Sequence, residues 1–146
     1  MEEPTPIEPA PRNYKKLRLW DSAQRLSLLI QKLSYQSPLC HRANLADQIR
    51  RAALSIPSNI AEGMGRGTNR DCLKFLFIAQ GSLKELESQV ETAIDGGFIS
   101  TDKIDPLRQL LELTGRDLGG LIYTRCKRLK IEGLAPRRHQ RPRPQG

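Results

Sequence analysis

Apolar residues recur along this chain at intervals of three and four, in four separate runs. Leu19, Ala23, Leu26, Ile30 and Leu33 are spaced 4, 3, 4, 3; Leu45, Ile49, Ala52, Ile56, Ile60 and Met64 follow at 4, 3, 4, 4, 4. Leu76, Ala79, Leu83, Leu86, Val90 and Ala93 run at 3, 4, 3, 4, 3, as do Ile104, Leu107, Leu111, Thr114, Leu118 and Leu121. Side chains three and four apart share one face of an α-helix, so each run predicts an amphipathic helix with one buried stripe.

The boundaries are written in punctuation residues. The first helix is expected to start near Lys16 and to stop at "SYQSPLCH", where Pro38 interrupts it. The second stripe passes straight through Pro57. An interior proline removes one backbone hydrogen bond and crowds the carbonyl of Ala53, at roughly 3 kcal/mol, usually relieved by a kink. Because the stripe stays in phase, one kinked helix is favoured over a break near Ser55. Thr68 followed by Asp71 resembles a capping box at the start of the third helix. "DGG" at 95–97 ends it, since glycine takes the left-handed conformation cheaply. The fourth helix has two competing starts, one with Ser100 as N-cap and Ile99 stapled onto Ile104, the other with Asp105 as N-cap and Pro106 in the first helical position.

Short connections make sequence neighbours antiparallel, so the expected fold is all-α, an up-down-up-down antiparallel four-helix bundle. The bundle should span 14–132, between a Pro-rich disordered arm at 1–13 and a disordered Arg/Pro-rich tail at 133–146. Composition agrees: 38% apolar with 27% charged residues suits amphipathic helices better than a sheet sandwich. Apolar residues exceed the stripes. Leu73, Phe75, Phe77 and Ile78 on the third helix, and Leu110, Leu113 and Ile122 on the fourth, imply a second buried surface and hence self-association. A merely wide core face is the competing reading.

Charge adds a polarity. The chain carries +8, of which +7 falls between Arg125 and Gly146, where eight basic residues face one acid, Glu132. A basic end on a nearly neutral body points to an anionic polymer or surface as partner. The first residues, "MEEPTPIEPAPRN", are acidic and proline-rich without an apolar run, so no signal peptide is expected, and no stretch is apolar enough to span a membrane. Three scattered cysteines, Cys40, Cys72 and Cys126, form neither a zinc spacing nor a disulfide framework, which fits a reducing cytoplasm. No metal or other cofactor is expected.

The stretch "SIPSNIAEGMGRGTNRD", residues 55–71, tests the enzyme reading. A phosphate loop of the Walker type needs a lysine and a Ser or Thr after its last glycine, and a strand before it. Gly67 is instead followed by Thr68 and Asn69, after a helical pattern, so the glycines end one helix and turn into the next. His41 and His139 lie in a loop and in the tail, where no rigid element orients them. Ser55, Ser58, Asn59 and Glu62 form a polar strip on the second helix. It could make a site, but such a strip more often bonds a neighbouring helix or serves carbonyls freed at Pro57.

The residues "QIRRAALSIPSNIAEGMGRG" at 48–67 and "KFLFIAQGSLKELESQVETA" at 74–93, with "NYKKLRLWDSAQRL" at 13–26 and "GGFIS" at 96–100, resemble a bacterial family known as four-helix bundle proteins or 23S rRNA intervening-sequence proteins. The resemblance covers roughly 13–130; Pro106 and both termini depart from the usual pattern. It implies an antiparallel four-helix bundle assembled as a ring-like homopentamer. It also implies kinship with the accessory variability proteins of diversity-generating retroelements, basic pentamers that associate with a reverse transcriptase and nucleic acid. No enzymatic activity is established for the family.

The expected function is therefore a non-enzymatic, oligomeric accessory or scaffold protein that binds RNA or DNA without sequence preference. Arg50, Arg51, Arg66, Arg70 and Lys74 would form one basic belt, and Arg125, Lys127, Arg128, Lys130, Arg137 and Arg138 a denser one. The aromatic residues are too dispersed for a base-stacking platform. The alternative is a protein–protein adaptor whose charges serve solubility.

Overall fold

A computed structural model of the chain describes residues 13–131. The arm and the tail expected at 1–13 and 133–146 lie outside the described residues, apart from Asn13. Four helices carry the fold: α1 (Arg18–Ser34), α2 (Ala43–Met64), α3 (Asn69–Asp95) and α4 (Thr101–Ile131), with short 3-10 turns at Tyr14–Lys16 and Leu39–His41. There is no strand among the described residues.

Each predicted helix forms, though α1 and α2 start without a side-chain cap, at Leu17 and Arg42. Asn13 caps the first 3-10 turn, accepting from the Lys15 amide at 3.2 Å. The second helix runs unbroken through Pro57. Ser58 Oγ donates to the Leu54 carbonyl at 2.8 Å and Asn59 Nδ2 to the Ser55 carbonyl at 2.8 Å, just past the Ala53 carbonyl that the proline leaves without its usual donor. At the start of α3 the Thr68 hydroxyl accepts from the Asp71 amide at 3.1 Å. Asp71 itself turns to Lys74 Nζ at 3.7 Å, so only half of the expected box is built.

Glycine ends α3 as the sequence requires. Gly97 alone among the described residues has a positive φ, 73°. Its amide reaches the Ile94 carbonyl at 3.0 Å and that of Phe98 the Ala93 carbonyl at 2.8 Å, the paired bonds of a Schellman cap. Of the two starts open for α4, the earlier is realised. The helix begins at Thr101, the Lys103 amide bonds the Ser100 carbonyl at 2.9 Å, and Pro106 lies inside the helix.

α2 packs against α1 and α3, and α4 closes the bundle by packing against the same two. Ala23, Leu26 and Ile30 of α1, Ile49, Ile56 and Ile60 of α2, Leu76, Leu83 and Leu86 of α3, and Leu107 and Leu118 of α4 are essentially solvent-free. Each such Leu or Ile contributes about 1.5–3 kcal/mol of transfer free energy. α2 and α3 approach so closely at Gly63 that a Cβ there would lie 3.1 Å from both the Cys72 carbonyl oxygen and Phe75 Cβ. The Ser55 and Ser82 hydroxyls share a hydrogen bond of 2.8 Å across the same pair of helices. At the other corner Asp117 of α4 accepts from Ser22 Oγ at 3.4 Å and meets Arg18 Nε at 4.0 Å.

Two expectations about the apolar surplus are corrected. Leu73 and Ile122 belong to the subunit's own core, 5% and 9% exposed. The buried stripe of α4 is Leu107, Leu111, Thr114, Leu118, Ile122, Arg125 and Leu129, leaving Ile104 and Leu121 half-buried. A step of four after Leu118 keeps a 3.6-residue helix facing the core, where another step of three would rotate it away. Phe75, Leu110 and Leu113 are half-buried, while Phe77 and Ile78 stand 50% and 51% exposed.

Candidate nucleic-acid interface

The cations picked out by the sequence divide by what already answers them. Arg50 is half-buried between α1 and α2, its guanidinium donating to the Ser34 carbonyl at 3.4 Å and lying 4.4 Å over the Tyr35 ring. Arg51 pairs with Asp47 at 3.2 Å and Lys74 with Asp71 at 3.7 Å. Arg66 is held twice, by Glu62 at 2.6 Å and by the Phe75 ring face at 4.5 Å. These are one-turn helix pairs and stacked cations, each worth a few tenths of a kcal/mol to about 1 kcal/mol, and they use up most of the belt's positive charge locally.

Arg70, Lys127, Arg128 and Lys130 have no ion pair among the described residues. Arg70, Lys127 and Lys130 are exposed and Arg128 half-buried; Lys127 Nζ lies 5.3 Å from the Tyr123 ring centroid. Arg137 and Arg138 lie outside the described residues.

Arg125 corrects the sequence reading. It is buried, 9% exposed, and points inward. Its Nη1 donates to Asn69 Oδ1 at 2.7 Å, and its Nη2 reaches Met64 Sδ at 3.8 Å. The charge run 125–130 hides the fact that residues 118, 122, 125 and 129 share one helical face; that spacing is the signal that could have found it. The bond to Asn69 joins the last turns of α4 to the first residue of α3. It thereby gathers two basic groups more than fifty positions apart, Arg66, Arg70 and Lys74 with Lys127, Arg128 and Lys130, at one end of the bundle.

Burial also acts on Cys72, which neighbours this cation. Desolvation pushes its thiol above the usual range, and the positive charge of Arg125 opposes the shift without cancelling it. Cys72 is thus a neutral, buried small side chain; Cys40 is half-buried and Cys126 exposed, and all three thiols are free.

The polar strip on α2 does not converge on a site. Ser55 bonds Ser82 at 2.8 Å and receives Asn59 Nδ2 at 2.9 Å, Ser58 bonds the backbone, and Glu62 is engaged by Arg66. Beside it runs an open groove of about 490 Å³, lined by Tyr14, Ser58, Ala61, Glu62, Gly65 and Arg66. Tyr14 packs edge-on against Trp20, ring centroids 5.2 Å apart. Among the described residues, no group of three His, Cys, Asp or Glu side chains could hold a metal ion, and no helix is long and apolar enough to cross a membrane.

The sequence from residue 15 to 120 matches the family model of the 23S rRNA-intervening sequence protein. No curated protein matches the chain. With a helical bundle under most of its length and the family's pattern over nearly three quarters of it, the chain belongs to the 23S rRNA-intervening sequence protein family.

Proposed function

We propose that this protein is a non-enzymatic, oligomeric accessory protein that binds RNA or DNA through the basic end of its bundle. The observation that carries the reading is the gathering of Arg70, Lys127, Arg128 and Lys130 at that end with no carboxylate paired to them among the described residues. Cations left unanswered by their own protein release counterions from phosphates and give affinity without sequence choice. In this reading the helices run up-down-up-down, and subunits close into a homopentameric ring through the exposed face of α3 carrying Phe77 and Ile78. Such a ring multiplies the basic ends and would serve a nucleic-acid enzyme in the cytoplasm, the reverse transcriptase of a diversity-generating retroelement being the partner the family resemblance offers.

The test is binding of labelled RNA and DNA, followed by anisotropy against salt. Changing Lys127, Arg128 and Lys130 to Ala should lower the slope of log affinity on log salt by about 0.7–0.9 for each phosphate they neutralise. An unchanged slope removes this end from the mechanism, and absence of binding at about 50 mM salt rejects the function. The half-exposed Phe77 and Ile78 also favour a second reading, a protein–protein adaptor without nucleic acid. Freshly purified protein with a stable oligomeric mass and no nucleic-acid absorbance would select it.

A further inference from the structure

Arg125 is the one charged side chain in the buried set of the described residues, and its Nε has no hydrogen-bond partner. Its other contacts are to a neutral amide oxygen and a thioether, and no carboxylate among the described residues pairs with it. A guanidinium taken out of water without a counter-charge is strongly disfavoured unless its surroundings supply one.

The surroundings supply more positive charge. Arg125 reaches the side chain of Asn69, the first residue of the 27-residue α3, whose N-terminal end carries the positive pole of the helix. In that first turn the Thr68 side chain and carbonyl serve the Asp71 and Cys72 amides. The Arg70 amide, one residue before, belongs to the group with no partner inside a helix. The Arg70 side chain is exposed and makes no ion pair among the described residues. The adjacent carboxylates are taken, Glu62 by Arg66 at 2.6 Å and Asp71 by Lys74 at 3.7 Å. The loop before Thr68 leaves room, because a Cβ on Gly67 would meet nothing within 4 Å.

We propose that the N-terminus of α3, with Arg125 beneath it and Arg70 beside it, is a binding site for one phosphate-type oxyanion. The Arg70 amide and guanidinium would hold its oxygens, and Arg125 would supply the charge from below. The glycine-rich "GRGTNR" at 65–70 thus serves a phosphate after all, as the open approach to a helix end and not as a nucleotide loop. That the oxyanion is a backbone phosphate of RNA or DNA rests on the function proposed above; the site itself does not.

Thermal melting with increasing sodium pyrophosphate, at ionic strength fixed with sodium chloride, tests the site. The wild type should show a saturable rise in Tm. Arg125→Met should fold with a Tm at or above that of the unliganded wild type and lose the rise, because an apolar side chain of similar length removes the uncompensated charge. Arg70→Gln, a surface change, should weaken pyrophosphate binding about tenfold. A wild-type response no greater than that to chloride overturns the site, as does an unaltered response in Arg70→Gln, which decides the matter even where Arg125→Met fails to fold. Labelled single-stranded RNA is titrated in parallel. Competition by pyrophosphate assigns the site to nucleic-acid phosphate, and saturable pyrophosphate binding without competition assigns it to a free phosphate. RNA binding with no pyrophosphate site sinks this inference and spares the proposed function. A pyrophosphate site with no RNA binding does the reverse.

Discussion

Replacing Gly63 by Ala should separate the two things a helix glycine can do. Ala favours a helix interior over Gly by about 1 kcal/mol, so an unobstructed change stabilises. Gly63 is obstructed: its new methyl would stand 3.1 Å from the Cys72 carbonyl oxygen, 3.1 Å from Phe75 Cβ and 3.7 Å from Cys72 Sγ. Carbon pairs prefer about 3.5–4.0 Å, so the Phe75 approach is short by about 0.4–0.9 Å. The obstacles are the backbone and first side-chain atom of α3, which cannot swing aside; the helices must part along the seam that includes the Ser55–Ser82 bond. Overpacking of this kind costs about 1–3 kcal/mol, leaving Gly63→Ala between neutral and about 2 kcal/mol destabilised. Gly120→Ala is the control, since its methyl meets nothing within 4 Å and should gain about 0.5–1 kcal/mol. In urea, with m about 1–3 kcal/mol/M, the midpoints of the two variants should differ by about 1 M at fixed protein concentration, followed by far-ultraviolet circular dichroism. A Gly63→Ala midpoint equal to or above that of Gly120→Ala would show that the α2–α3 approach is not tight, and the reasoning would fail.

Leu86→Ala, at a position with no exposure, should cost about 2–5 kcal/mol by the same assay, while Leu54→Ala, 56% exposed, should stay within about 0.5 kcal/mol. Arg108 donates to both oxygens of Glu91, at 3.1 and 2.9 Å, and these hydrogen bonds hold the Glu91 carboxyl below the usual carboxylate range. A folded-state pKa below the unfolded one contributes stability above the unfolded pKa and loses it as pH falls through the folded value. Tm should therefore decline on acidification across that window, and Glu91→Gln should flatten the decline; a parallel profile in the variant would refute the assignment. Phe77→Lys with Ile78→Lys should leave the subunit folded and reduce its mass by light scattering, whereas an unchanged mass would move self-association off this face.

What the sequence discloses depends on whether a property is periodic. The stripes of α1 and α3 reappear as buried rows, and that of α2 does so from Ile49 to Met64, with Ala46 buried and Leu45 only half-buried at its start; Ile56 and Ile60 on either side of Pro57 both face the core. The start of α4 is ambiguous in the sequence because Ser100 and Asp105 are both good caps; in the structure the helix starts at Thr101 and Pro106 lies inside it. The candidate interface is legible as a composition and illegible as a geometry. The four-residue spacing offers the Arg66–Glu62 pair, but nothing local reveals that the Phe75 ring lies against Arg66, or that Asn69 meets a residue of the last helix. Arg125 is misplaced by any reading that weighs charge ahead of phase, though its spacing from Ile122 and Leu129 already puts it on the inner face.

Trp20 is the chain's sole indole, and it touches Tyr14, which forms one wall of the groove beside Arg66. The molecule therefore carries its own fluorophore at the junction between the leading 3-10 turn and α1. A shift in its emission ahead of the loss of helical signal would mean that the amino end detaches first. Simultaneous changes would mean that this end melts only with the whole subunit.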